Sequence, residues 1–179
     1  MALLEVICLH ENDAKRAAQG GADRIELVGT MDDDGLAPSP EVLARTLSAV
    51  DIPVRPMLRL DGGFRADPRR RDEMLGLVST YRDLGADGPV LGFLDEATGV
   101  DVETVTELTQ GWPGWTFHRT IDNSLEPDKA WVQLLGLPGL DQVLTAGSPR
   151  GIEYGLDDLI ARAEAKPRVA ELIMAGGGL

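Results

Sequence analysis

Short apolar runs and amphipathic stretches alternate along the whole chain. Runs rich in β-branched and aliphatic residues at 3–8, 24–28, 54–60, 89–94, 115–120, 142–146 and 171–175 predict strands. Between them, apolar residues at helical spacing predict helices at 11–19, 40–50, 68–84, 102–110, 127–135 and 156–165. Ser39 before Pro40 and Asp67 before Pro68 offer capping oxygens where proline suits the first helical turn, and Gly20-Gly21 and Gly85 stand where helices should stop. Strict alternation of strand and helix predicts a parallel sheet with right-handed crossovers.

Seven strands and six helices leave an open doubly wound sheet or a (β/α) barrel. The first strand is followed by Leu9-His10-Glu11-Asn12 and not by a glycine fingerprint, which weighs against a dinucleotide fold. In the first strand Leu4, Val6 and Cys8 share one face and Glu5 takes the other; Glu26, Arg59, Asp95 and His118 are likewise out of phase with the apolar positions. Open parallel sheets are covered on both faces and rarely carry such charges, whereas a barrel accommodates them at its C-terminal mouth. The predicted fold is therefore α/β, a (β/α) TIM-type barrel in a single domain over 1–179. It is expected to be incomplete, because a full barrel needs about 250 residues and this chain reaches Leu179 just past its seventh strand. Open strand edges predict a homo-oligomer, with a dimer favoured.

Composition narrows the partners. A net charge of −13 argues against nucleic acid. No apolar run approaches the ~18 residues of a membrane span, and a single cysteine, Cys8, excludes an internal disulfide and fits a cytoplasmic location. Lys15, Lys129 and Lys166 are the only lysines, all on predicted helices or their ends, so Schiff-base chemistry is not expected.

The candidate chemistry lies where ionisable groups interrupt apolar runs. Trp115-Thr116-Phe117-His118-Arg119-Thr120-Ile121-Asp122 is the clearest case, since burying unpaired charge costs several kcal/mol per ion. Glu5, Glu26, Arg59, Asp95, His118, Arg119 and Asp122 form the expected catalytic set: arginines to hold a carboxylate or phosphate, His118 to move a proton, and the carboxyls to share or position it. Thr145, Ser148 and the backbone of Gly176, Gly177 and Gly178 are the expected ligand-binding groups. Structural alternatives stay open: Glu5 and Glu26 can be ion-pair partners of Arg24, Arg55 or Arg59, His10 a surface turn residue, and Arg69-Arg70-Arg71 a solvated helix start.

These residues resemble the CutC family, named as copper homeostasis proteins and built as TIM-like barrels. The matching blocks are Glu5 to Cys8, Gly20-Gly21-Ala22-Asp23-Arg24-Ile25-Glu26-Leu27, Gly35-Leu36-Ala37-Pro38-Ser39, Ile52-Pro53-Val54-Arg55-Pro56-Met57-Leu58-Arg59, Leu94-Asp95 with Val100-Asp101, Thr116-Phe117-His118-Arg119 with Asp122, Val143-Leu144-Thr145, and Ile173-Met174-Ala175-Gly176-Gly177-Gly178. The resemblance implies copper homeostasis and binding of a copper ion, with Cys8 as the candidate Cu(I) ligand. The position that is a second cysteine in some members is Val28 here. The alternative is a barrel enzyme of proton-transfer or lyase type, acting on a small phosphorylated or carboxylated metabolite.

Overall fold

The computed structural model describes residues 3–178, which fall into two compact units. The first runs to Gly63 and takes in Asp67–Val90; the second comprises Phe64–Ala66 and everything from Leu91.

In the first unit, strands β1 (Glu5–Cys8), β2 (Arg24–Leu27) and β3 (Val54–Pro56) pair in parallel in that order, with Glu5 opposite Arg24 and Glu26 opposite Arg55. Helices α1 (Glu11–Gln19), α2 (Pro40–Leu47) and α3 (Arg71–Leu84) connect and follow them. The expected caps form: Ser39 Oγ accepts the Val42 N–H at 3.4 Å, and Asp67 accepts the Arg69 N–H at 2.9 Å. Such caps stabilise a helix start by about 1 kcal/mol each. His10 is the N-cap of α1, its Nδ1 facing the Asp13 N–H at 3.4 Å. Ile25, Leu27, Leu43, Val54, Leu58 and Tyr81 are buried, and the Tyr81 hydroxyl donates to Pro38 O at 2.6 Å. Pro56, opposite Leu27, is the last residue of β3; the Met57 N–H still donates to Leu27 O at 2.9 Å, and Met57 forms a single parallel bridge to Val90.

Strand β4 (Val90–Leu91) is only two residues long. In the second unit, β5 (Trp115–Phe117), β6 (Leu140–Thr145) and β7 (Ile173–Ala175) pair in parallel in that order, and the His118 N–H donates to Leu91 O at 2.9 Å. Helices α4 (Val102–Thr109), α5 (Pro127–Leu135), α6 (Ile152–Ala165) and α7 (Pro167–Leu172) complete the unit. Trp115 and Phe117 share a face of β5, fully buried with ring centroids 6.5 Å apart, which leaves Thr116 and His118 on the other face.

Two departures from the predicted elements have local causes. Helix α6 begins four residues earlier than its apolar period, because Gly155 lies against the Gly147 backbone: a β-carbon there would fall 2.0 Å from Ala146 O. The helix turns as a close-packed glycine contact and not as an apolar stripe. Helix α7, which the pattern missed, is six residues opening on Pro167, and it takes Glu171 out of the expected last strand.

Candidate functional site

The ionisable residues anticipated from the sequence divide between the two units. In the first, Glu5 opens β1 and Arg24 opens β2, and the register sets them side by side. Arg24 Nε donates to Glu5 Oε2 at 2.5 Å, with both side chains at or below 7% exposure. Glu26, two residues along β2 on the same face as Arg24, is wholly buried and hydrogen-bonds the Glu5 carboxyl. Burial, then the Glu5 charge and that hydrogen bond, push the Glu26 carboxyl up to about 8, against the opposing pull of Arg24. Glu26 therefore favours its protonated form at neutral pH, and among the described residues its Oε2 has no hydrogen-bond partner. Glu5 does not stand at the C-terminal end of its strand, where a barrel-mouth site would need it. Its place at the strand start is one that in such folds bears on stability more than on chemistry. Arg55, opposite Glu26, bonds Asp87 Oδ2 at 2.7 Å.

Arg59 is held by main-chain oxygens, donating to Gly63 O at 3.2 Å, to Asp33 O and to Gly35 O at 3.4 Å. Burial lowers its pKa, against the pull of Asp34 and Asp33. Asp33 and Asp34 have positive φ of 50° and 66°, so the Arg59 fork braces a turn of uncommon backbone conformation. This engagement gives Arg59 a bracing role.

The second unit gathers polar groups just past the C-terminal ends of β5, β6 and β7. His118 follows β5 and turns the chain: its Nδ1 accepts the Thr120 N–H at 3.3 Å, so the neutral ring carries its proton on Nε2. That cap opens a short 3-10 helix, Arg119–Asn123, which replaces the last residues of the expected strand and sets Arg119 and Asp122 one turn apart. Gly92 is needed opposite the ring, since a β-carbon there would fall 2.8 Å from His118 Nδ1.

Asp122 is the hub of this cluster. Its side chain is 1% exposed. Oδ1 accepts the Thr145 hydroxyl at 2.5 Å; Oδ2 accepts the Ala146 N–H at 3.0 Å and Arg119 Nε at 3.1 Å. Thr145, the last residue of β6, in turn accepts the Gly147 N–H at 3.0 Å. The Arg119 side chain is 34% exposed, and among the described residues its two terminal nitrogens donate no hydrogen bond. Gly177 lies directly on the guanidinium: a β-carbon there would fall 2.6 Å from Cζ, and its φ of +94° independently favours glycine. Gly177 O accepts the Ile152 N–H at 3.0 Å, bringing the start of α6 beside the glycine run. Gly176 N–H bonds Thr145 O at 3.0 Å, and Gly178 follows with φ of +89°.

Asp95 and Ser148 have local duties. Asp95 Oδ1 accepts the N–H groups of Ala97 and Gly99, each at 2.9 Å, closing the turn after β4. Ser148 Oγ accepts the Arg150 N–H at 3.2 Å and shapes the loop after β6. The sequence pattern did not single out Arg150, whose guanidinium lies 3.7 Å from the Tyr154 ring centroid; its only sequence signal is a position in a Ser-Pro-Arg-Gly loop after a strand.

Cys8 is buried, and its Sγ approaches Val6 O at 3.8 Å. Burial and, less, the nearby Asp13 push the thiol up to about 11, so it keeps its proton at neutral pH. Cu(I) prefers thiolate and thioether sulfur, and among the described residues no three His, Cys, Asp or Glu side chains are grouped to hold a metal ion.

Parallel strands alternating with helices, with a polar cluster after the strand ends, define the (β/α) class of TIM-barrel type. The chain belongs to the CutC family, whose model matches residues 2–179. A CutC family protein of Enterobacter sp. (strain 638) is 39% identical over 182 residues, covering all of this chain and 72% of the relative. A crystal structure of a protein provisionally named as the copper homeostasis protein CutC of Streptococcus agalactiae superposes with a TM-score of 0.89 at 27% identity, covering 100% of this chain and 89% of that one. A provisionally named lyase/mutase from Burkholderia cenocepacia J2315 matches with a TM-score of 0.63 at 14% identity, over 99% of this chain and 70% of its own, and shares the fold alone.

Proposed function

We propose that this chain binds a small carboxylate- or phosphate-bearing molecule at the C-terminal ends of β5, β6 and β7, with Arg119 as the principal cation. The observation that carries the reading is the Arg119 guanidinium, clamped at Nε by buried Asp122 and backed by Gly177, with its terminal nitrogens uncommitted among the described residues. A fixed planar fork of this kind matches the two oxygens of an anion and loses little freedom on binding. The positive end of the α6 dipole lies beside the glycine run and adds partial positive charge, with the Gly176 and Ile152 N–H groups already bonded to Thr145 O and Gly177 O. Proton exchange with the ligand falls to His118, next to Arg119 and carrying its own proton on Nε2. On this reading the chain works as an enzyme of proton-transfer type or as a binding protein for an anionic metabolite.

The copper role attached to the family's name is the competing reading, and the protonated, isolated Cys8 thiol gives it little support. A thermal-shift screen separates the two. Inorganic phosphate or small carboxylates should raise the melting temperature of the wild type and leave Arg119→Met unmoved. Stabilisation by Cu(I) alone, lost in Cys8→Ser and kept in Arg119→Met, would reverse the assignment.

A further inference from the structure

We infer that Arg150 is a second anion-binding arginine, moving from the face of Tyr154 onto a ligand held by Arg119, and that it makes the site selective for phosphate dianions over carboxylates. This rests on the Arg119 reading above. The path between the two arginines is continuous. Arg150 precedes Gly151, where an added β-carbon would meet Gly177 O at 3.2 Å; Gly177 in turn lies on the Arg119 guanidinium. The backbone of Arg150 is anchored by its N–H bond to Ser148 Oγ, while its side chain is exposed and, among the described residues, has no carboxylate partner. It rests 3.7 Å from the Tyr154 ring centroid, and that ring is itself more than half exposed. An exposed cation–π contact is weaker than a charge-assisted hydrogen bond to an anion, so a bound dianion outcompetes the aromatic face.

The selectivity follows from charge and oxygen count. A carboxylate presents two oxygens and one charge, which one guanidinium fork satisfies. A phosphate monoester carries close to two charges above its second pKa near 6 and has three oxygens to satisfy, and the inorganic dianion presents at least as many. After Arg119 has engaged it, one face and roughly one charge are left for a second cation. Arg150 would supply it from the loop after β6, where its neighbour Gly151 adjoins Gly177.

Calorimetric titration of inorganic phosphate and of acetate at about pH 8, where phosphate is the dianion, tests this on wild type, Arg150→Ala and Arg150→Lys. Arg150→Ala should weaken phosphate binding about tenfold, the loss expected for one charged hydrogen-bonding partner, and leave acetate within about twofold. Arg150→Lys, which keeps the charge without the planar fork, should fall between. Equal losses for both anions, or none for either, would overturn the role of Arg150 while leaving Arg119 in place. A wild type that binds neither anion would overturn the Arg119 reading and this inference together.

Discussion

Glu26 carries a proton at neutral pH because it is enclosed, faces the Glu5 carboxylate and has only Arg24 pulling the other way. Unfolded Glu26 titrates near 4.5 and the folded carboxyl at about 8, so between those values the folded chain binds a proton that the unfolded chain has released. Stability from this group therefore falls as pH rises from about 4.5 to about 8 and is level above that. Chemical denaturation across that window should show the decline in wild type and a flatter profile in Glu26→Gln, which keeps the amide-sized neutral group. An unchanged slope in the variant would contradict the assignment. The neighbouring pair is expected to be structural: Glu5→Gln removes the buried carboxylate that Arg24 Nε bonds and should cost about 3–5 kcal/mol in a denaturation experiment. A cost under about 1 kcal/mol, typical of exposed pairs, would show that the pair is solvated in solution.

At the scale of elements, the chemistry sits where strands hand over to loops. The 3-10 helix Arg119–Asn123 places Arg119 and Asp122 on one side, the end of β6 brings Thr145, and the turn after β7 brings Gly177. Gly177→Ala would drive a β-carbon into the Arg119 guanidinium and strain a φ of +94°. It should lower stability by about 1–2 kcal/mol and displace Arg119, and anion binding should fall with it. Retained anion affinity in a folded Gly177→Ala protein would separate the glycine run from the site.

Much of this was legible in the chain itself. The alternation of runs and the charges interrupting them marked the strands, and Trp115 to Asp122 pointed to the end of β5. The turn at His118 was not legible, because a ring nitrogen capping the Thr120 N–H looks like strand continuation in a hydropathy pattern. The start of α6 was hidden for a similar reason: a glycine–glycine contact between Gly147 and Gly155 has no apolar signature. Arg59 read as an anion ligand, yet its carbonyl partners on Asp33 and Gly35 lie 26 and 24 residues away, and no local pattern reports them.

For the molecule as a whole, CutC family membership brings a copper label, while among the described residues no three His, Cys, Asp or Glu side chains are grouped and the one thiol keeps its proton. The two accounts differ in which atoms a ligand should touch. Mapping amide chemical-shift changes during titration with inorganic phosphate reads this directly. Shifts should concentrate at Arg119, Ala146, Ile152, Gly177 and Gly178, with the amides around Glu5, Cys8 and Glu26 unmoved. Shifts centred on Cys8 and Glu26, or none at the glycine run at saturating phosphate, would contradict it.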